Sequence, residues 1–411
     1  MKSAGAVKGR GLLKYTGLLK STGLLKSTGL VKSTGLVKST GLVKSTGLVK
    51  SAGAFAALAL LLLAPDAHAR TSWTVAAPED VGIDAARLEG LPEAVALGRY
   101  PLTTSVLIVR DGQLAYEHYF GDGAENRLND TRSATKTLVA LAIGKAIESG
   151  AIASVDAPAF AFFSDLAPFA NDSAIKRAIT IADLLTSSSA LDCDDNNETP
   201  GNEENMHPQQ VWTRFVLDLP TKAGWTRDAQ GRGPWAYCTA GSFLLGQIVE
   251  RATGERVDRF MDRTLFQPLA ITRRKWDQSP SGEFQTGGGL ELTSRDLARI
   301  GWMMTDGGRW KGRSVVAPAW LATMMRPHRD AFMDMRYGYQ MWTRAYQSDC
   351  GGVDVWFMAG NGGNDIVSIP ALGAAAVVTR TDYNTRNMHQ QTFDIIQSFI
   401  IPALQCRPRA P

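Results

Sequence analysis

The hydrophobic positions of this chain change period more than once. In IDAARLEGLPEAVALG, residues 83–98, apolar side chains recur three or four apart, which predicts an amphipathic helix. In TSVLIVRDGQLAYEHYFG, residues 104–121, two β-rich runs meet at Asp111-Gly112, the dipeptide of a tight hairpin turn. A long apolar helix pattern opens near Ser133 in NDTRSATKTLVALAIGKAIESG, and from about 150 to 285 helical spacing persists between loops with few strand-like runs. Strand character returns in DVWFMAG, NDIVSIP and GAAAVVTRTD, before a last apolar helix, HQQTFDIIQSFII, expected to stop at Pro402. Strands at both ends of a helical middle predict an α/β (α+β) chain. Its sheet is mostly antiparallel, built from N- and C-terminal segments and flanked by helices, with a central all-helical subdomain and any site in the crevice between them.

The first 69 residues follow neither period. A six-residue unit of the type GLVKST recurs from Gly11 to Lys50. Six residues match no helical repeat, and an unvarying basic tract lacks the changing outward positions of a β-solenoid, so the tract reads as unstructured. Next comes AFAALALLLLAPDAHA, too short to span a bilayer but suited to the apolar region of an export signal, with small residues at Ala67 and Ala69. Cleavage after Ala69 is expected, giving a mature start at Arg70, no stable membrane anchor, and a periplasmic or secreted protein. The organisation expected is thus 1–69 for repeat and signal and 70–411 for one domain, with the helical subdomain at about 150–285.

Charge changes once the leader is set aside. Of 44 Lys and Arg and 40 Asp and Glu, the leader holds ten and one, so the remainder carries 34 against 39, a net of −5. No basic run suited to tracking phosphates remains, which removes nucleic acid from the expected partners. Cys193, Cys238, Cys350 and Cys406 form no CxxC pair, and in an exported chain they read as two disulfides with three pairings open.

Chemistry enters at Ser133 and Lys136. A lysine three residues after a serine lies one helical turn on, within reach of its hydroxyl. The chain contains a control, because Ser173 and Lys176 share the spacing in SAIK. Ser133 is preferred: it opens a long helix, where free N–H groups and the dipole stabilise negative charge, whereas Ser173 opens only a short segment. On the motif alone an N-cap role for Ser133 stays open. Tyr237, in GPWAYCTAGSFLLGQIVERATG, precedes another helix. A serine alcohol needs a group to take its proton, and a lysine and a phenol placed together can share that task, with either as base.

Ser133-Ala-Thr-Lys136 followed by Tyr237-Cys-Thr239 resembles the SxxK and YxN motifs of serine hydrolases related to class C β-lactamases, a group that includes D-peptidases, esterases and 6-aminohexanoate-dimer hydrolases. VLIVRDGQLAYEHYFG, ITIADLLTSSSALD, GGGLELTSRDLARIG and GNGGNDIVSIP support the resemblance in the order the family shows, over roughly residues 80–402. It implies the β-lactamase/D-peptidase-like fold, Ser133 as nucleophile, Lys136 and Tyr237 as proton-transfer groups, and Thr239 at the oxyanion or substrate-binding side. The family's third motif is a Lys or His, a residue and a glycine; here Gly360-Asn361-Gly362-Gly363 stands instead, with no cation. This departure favours ester or linear-amide hydrolysis over β-lactamase or D-peptidase action, and leaves a backbone N–H near Gly363, with that of Ser133, as the expected oxyanion hole. Thr239 stands where the family commonly has Asn or Ser, and Ala190 where it often has Gly. The resemblance also puts the Cys193 segment and the tyrosine loop on one crevice, which implies Cys193 with Cys238 and Cys350 with Cys406.

Other constellations are weaker. No GxSxG or HExxH occurs, and His118, His207, His328 and His389 read as structural or surface residues. In DCDDNNETPGNEE, Asp192, Asp194, Asn196, Glu198 and Glu203 fall near calcium-loop positions, but Asn197 stands where the turn needs Gly, so a solvated acidic loop is expected. The expectation is a metal-independent, cofactor-free exported serine hydrolase that forms an acyl-enzyme from a small ester or amide. The alternative of a different class is a catalytically silent binding protein on the same fold.

Overall fold

The computed structural model describes residues 72–332 and 334–406; the repeat tract and the expected export signal lie outside them. Three strands open the fold, β1 (Thr74–Val75), β2 (Thr103–Arg110) and β3 (Gln113–Tyr119). Asp111 and Gly112 join β2 to β3 with φ of 53° and 75°, the mirror-turn geometry whose twist matches that of paired strands. A short β4 (Leu128–Asp130) leads to the helical region, which is followed by β5 (Lys275–Trp276) and β6 (Leu290–Thr293). A separate hairpin of β7 (Arg309–Trp310) and β8 (Arg313–Ser314) precedes the C-terminal run. That run comprises β9 (Arg329–Asp330), β10 (Arg336–Tyr337), β11 (Trp342–Ser348), β12 (Gly351–Gly360), β13 (Asn364–Ile369) and β14 (Ala374–Arg380).

Nine strands form one sheet in the order β1-β3-β2-β14-β13-β12-β11-β10-β9. The β1–β3 pair is parallel and the other neighbours are antiparallel. The chain's two ends meet at β2 and β14, in a register that sets Val106 against Val378 and Ile108 against Ala376. Because side chains alternate across a strand, Leu107 and Val109 enter the core on one face while Val106 and Ile108 enter the core on the other. A strand buried on both faces needs an unbroken apolar run, and every residue of β2 is buried.

Helices cover both faces. One side carries α1 (Ala86–Ala96), whose Leu88 and Leu91 share a core with Val106 and Ile108. The other side carries α2 (Thr135–Glu148), α3 (Thr239–Thr253) and α4 (Ser294–Thr305). The C-terminal α5 (Met388–Ile395) returns to the α1 side through Phe393 and Ile395. Among the described residues no strand lies between β4 and β5, so the segment from 131 to 274 is helices and loops. Strand pairing of β6 with both β4 and β5 closes its base. Leu138, Phe243 and Leu107 belong to one continuous core, so the insert and the sheet are packed as one body.

Three features depart from the sequence pattern. The strands β9, β10 and β11 had no counterpart, since Arg344, Gln347 and Ser348 interrupt the apolar run of β11. The helical segment was expected to reach about 285, yet β5 begins at Lys275. The last helix does not stop at Pro402: a π turn at Ile396–Ile400 resets the hydrogen-bond register and Pro402 falls in the first positions of Ile401–Ala403, where a missing N–H costs no intrahelical bond. The disulfides are Cys193–Cys238 and Cys350–Cys406, with Cα separations of 5.5 and 5.3 Å, the pairing the family resemblance implied.

A buried carboxyl sits in the sheet. Asp365 of β13 is fully buried and neither carboxylate oxygen has a hydrogen-bond partner. Burial pushes its carboxyl up to about 8, opposed in part by the Arg380 guanidinium. Between the ordinary carboxylate range and that value the folded chain keeps a proton that the unfolded chain has lost, so stability falls as pH rises through this window. Asp365→Asn is expected to remove that slope, stabilising the protein at about pH 8 while changing little at about pH 4. Denaturant unfolding at the two pH values tests it; an equal change at both would mean that Asp365 does not titrate in this window.

Candidate active site

The turn before α2 is where a serine is placed under constraint. Arg132 takes φ of 47°, a left-handed conformation that a non-glycine residue holds only when its surroundings impose it. Asp130 supplies that hold: its Oδ1 accepts from the Arg132 N–H at 3.0 Å and its Oδ2 lies 2.6 Å from Arg132 Nε, while the guanidinium lies over the Tyr383 ring at 4.8 Å. Ser133 follows within a 3₁₀ turn, Arg132–Ala134, ahead of α2. It is not the N-cap, because Ala134 holds that position and no side chain caps this helix. The capping role belongs to the control serine instead: Ser173 is extended and its Oγ accepts from the Lys176 N–H at 3.1 Å. Lys176 Nζ donates to the carbonyls of Ala170 and Leu217 at 2.8 and 2.9 Å, a structural arrangement remote from Ser173 Oγ.

Lys136, one turn into α2, has 1 % of its surface exposed. Its Nζ lies 3.0 Å from Ser133 Oγ, 2.8 Å from Thr239 Oγ1 and 2.6 Å from the Gly287 carbonyl oxygen. Gly287 must be a glycine here, since a Cβ would stand 2.7 Å from Thr239 Cγ2 and 2.9 Å from Thr239 O. Burial lowers the Lys136 ammonium below the usual lysine range, against the opposing pull of Glu203 and Asp195. Thr239, expected at the oxyanion or substrate side, is itself buried and holds Lys136 from behind. It does not line the pocket, because as the first residue of α3 it points into the helix packing.

Tyr237 reaches the same serine from the loop before α3. It lines the same pocket as Ser133, and its ring lies 4.9 Å from Lys136 Nζ and 5.6 Å from the Trp342 ring. Burial drives the phenol well above its ordinary range; the nearby Ser133 hydroxyl counters this, and the Asp195 and Glu203 charges add to it. Cys238 is the N-cap of α3 and is bonded to Cys193. Beside that bridge, the Asp195 N–H donates to the Tyr237 carbonyl at 2.8 Å, and Asp195 accepts from the N–H groups of Thr239 at 2.7 Å and Glu203 at 3.0 Å. Nothing local marks Asp195, because it becomes relevant only once the 193–238 bridge brings two distant loops together.

The Gly360-Asn361-Gly362-Gly363 segment caps the β12–β13 hairpin next to Ser133. A Cβ at Gly360 would come within 2.0 Å of the Thr131 carbonyl oxygen and 3.4 Å of Ala134 N, so the strand end lies directly against the serine turn. The expected oxyanion donor near Gly363 is corrected by this geometry. The Gly363 N–H donates to Gly360 O at 3.2 Å and the Gly362 N–H to Met388 Sδ at 3.2 Å, so both are spent within the turn and on α5.

Ser133 and Tyr237 open into a pocket of about 360 Å³. Asp195, Asn196 and Glu203 form its wall on the insert side, Phe332, Met335, Trp342 and Phe357 its apolar part, and Asn361, Arg386 and His389 its far wall. His389 therefore differs from the structural role expected of it: burial pushes its imidazole down to about 4, and its Nδ1 has no partner. The other histidines among the described residues are structural, His328 stacking on Tyr339 at 4.2 Å and His118 and His207 packing against Phe120 and Trp212. In the acidic loop, Asp194 accepts from the Asn196 N–H and from Asn197 Nδ2, capping its own turn. Among the described residues, no three possible metal ligands gather into one group.

Comparisons with known proteins bear on the family and the fold. The chain is 28 % identical over 280 residues to a 6-aminohexanoate-dimer hydrolase of Paenarthrobacter ureafaciens, covering 66 % of this chain and 69 % of that one. Two solved structures share the fold. One is the octameric penicillin-binding protein homologue of Pyrococcus abyssi, with TM-score 0.59, 20 % identity, and 76 % and 77 % of the two chains covered. The other is a D-stereospecific amidohydrolase of Streptomyces, with TM-score 0.56, 16 % identity, and 76 % and 98 % covered. The family model described as Beta-lactamase matches residues 101–395, well over half of the chain, and the protein belongs to that family.

Proposed function

We propose that this Beta-lactamase-family hydrolase is an exported serine enzyme that cleaves small esters or linear amides through an acyl-enzyme on Ser133. One observation carries the reading: Lys136 Nζ is buried at 3.0 Å from Ser133 Oγ and is fixed by Thr239 and by the Gly287 carbonyl. A carbonyl can only accept, so it orients one N–H of the amine, and the Thr239 hydroxyl takes a second. A neutral amine held in this way directs its lone pair at the Ser133 hydroxyl. Burial separates the two proton-transfer groups, lowering Lys136 and raising Tyr237. Lys136 is accordingly assigned as the base and Tyr237 as the phenol that relays a proton to the leaving group.

In the proposed cycle Ser133 Oγ bonds to the substrate carbonyl carbon and its proton passes to Lys136. The N–H of Ser133, at the start of α2, and the Gly360–Asn361 end of β12 stabilise the oxyanion. Collapse breaks the bond to the alcohol or amine, which leaves with a proton through Tyr237. Water then attacks the acyl-enzyme with the same groups acting in reverse, releasing the acid and restoring Ser133. The relative's name, 6-aminohexanoate-dimer hydrolase, supports the linear-amide side of the reading. The two disulfides favour export.

A fluorophosphonate probe is expected to label the wild-type protein and Ser173→Ala, but not Ser133→Ala, as read by peptide mass spectrometry. Equal labelling of the two alanine variants would remove Ser133 from the mechanism.

Lys136→Ala and Tyr237→Phe are each expected to lower kcat by about 10²- to 10⁴-fold, with the double variant close to the worse single one, because both serve one proton path. The kcat/KM of a neutral ester should rise with pH and level off below the usual lysine range, since the base form of Lys136 is required. Strictly additive losses, or a profile flat through that range, would separate Lys136 from the proton transfer.

The Cys193–Cys238 bridge closes a separation of 45 residues beside Tyr237. Replacing both cysteines by alanine is expected to cost roughly 4 kcal/mol of stability by loop entropy and to lower kcat more than it raises KM. Unchanged kcat in the folded double variant would restrict the bridge to a stabilising role.

A further inference from the structure

The Gly360–Gly363 turn carries no cation, yet it is fastened to a segment that does. Between β14 and α5, the Asp382 N–H donates to Gly362 O at 3.3 Å. The Asn384 N–H donates to Asn361 Oδ1 at 2.8 Å, and Asn361 Nδ2 donates back to Asn384 Oδ1 at 2.7 Å. From below, buried Arg380 donates to Asp382 at 3.2 Å and to Gln391 at 2.6 Å. At the far end Met388 Sδ accepts from the Gly362 N–H at 3.2 Å and Thr392 Oγ1 donates to Gly363 O at 2.7 Å, so the 381–391 stretch is held against the Gly360–Gly363 turn from both sides. Arg386 is carried on it and lines the Ser133 pocket.

Arg386 is exposed and makes no ion pair or hydrogen bond within the described residues. That sets it apart from Arg132, Arg380 and Arg227, each of which is paired with a carboxylate. With His389 held neutral by burial, Arg386 is the permanent cation among the described residues lining the pocket. Asp195 and Glu203 stand on the insert side. The pocket therefore has a negative wall and a positive wall with aromatic side chains between them.

We infer that Arg386 binds a carboxylate, or an equivalent terminal anion, of the substrate whose carbonyl lies at Ser133, replacing from a neighbouring loop the cation that the strand turn lacks. This inference rests on the serine-hydrolase reading above. A guanidinium presents a planar pair of donors that matches a carboxylate, and the match strengthens when a ligand displaces water from the pocket mouth. The charges also fix direction. An anionic end is drawn to the Arg386 wall and repelled from Asp195 and Glu203, so a linear substrate lies with its anion toward α5 and its uncharged or cationic end toward the insert.

The test compares two esters on the mature enzyme, neutral p-nitrophenyl butyrate and the carboxylate-bearing mono-p-nitrophenyl ester of glutaric acid. The ratio of kcat/KM for the anionic ester to that for the neutral ester is expected to fall about tenfold to a hundredfold in Arg386→Gln, through KM, and to recover in large part in Arg386→Lys. Added salt should lower the wild-type ratio and leave the Arg386→Gln ratio unmoved. A ratio unchanged by Arg386→Gln, or an equal fall for both esters, would overturn the assignment of Arg386 alone. Wild-type protein that hydrolyses neither ester and takes no label at Ser133 would instead overturn the hydrolase reading beneath it.

Discussion

The bond from Lys136 to the carbonyl of Gly287 is the constraint on which the site depends. At 2.6 Å it ties the first turn of α2 to the segment just before β6, and it can form only because position 287 has no side chain to strike Thr239. With that carbonyl and Thr239 holding two directions around the nitrogen, the third direction is the one in which Ser133 lies. An amine wholly removed from water loses much of the solvation that favours its charged form, so the same packing that places Lys136 also makes it a stronger candidate to accept a proton.

Two opposing electrostatic influences meet at this amine. Burial favours the neutral form, while Asp195 and Glu203 favour the charged one. Asp195 has little freedom to relax, because two backbone N–H groups bond to its carboxylate and its own N–H is bonded to Tyr237 O. The same carboxylates raise the phenol as well, so it is burial that moves the two groups apart, lowering the Lys136 amine and raising the Tyr237 phenol. A lysine and a tyrosine with similar ordinary pKa values thus become unlike through surroundings they share, which is how two groups can divide an acid and a base role at one serine.

How much of this was legible depended on whether the signal was local. The hairpin at Asp111-Gly112, the helix after Ser133 and the apolar strands β13 and β14 follow from spacing and turn chemistry, and all are present. The different settings of Ser133 and Ser173 were legible too, because a capping serine and one in a turn ahead of a long helix differ in the length of helix that follows. What the sequence concealed was mostly long-range. Asp195 faces Tyr237 through a bridge between distant loops. Gly287 read as one of three consecutive glycines, with nothing to mark its carbonyl as a partner of Lys136. The expectation at Gly363 failed because two N–H groups of a tight hairpin were already committed, a matter of geometry that composition does not record.

The β12–β13 turn shows how a lost side chain can reshape a site without opening it. A bulky residue at Gly360 would strike the carbonyl of Thr131, so the strand end can approach the serine only with glycine there. That approach leaves the turn beyond it narrow. Gly362 and Gly363 take φ of 94° and 83°, and a Cβ at Gly362 would stand 2.6 Å from the Tyr383 ring. A turn so closely packed has room for the asparagine clamp to residue 384, but its glycine positions cannot carry a long cationic side chain. The guanidinium that lines the pocket comes instead from a neighbouring segment, which the clamp holds against the turn. The Asn361 side chain thus serves the site by holding the loop that follows β14, and with it Arg386, at the pocket wall.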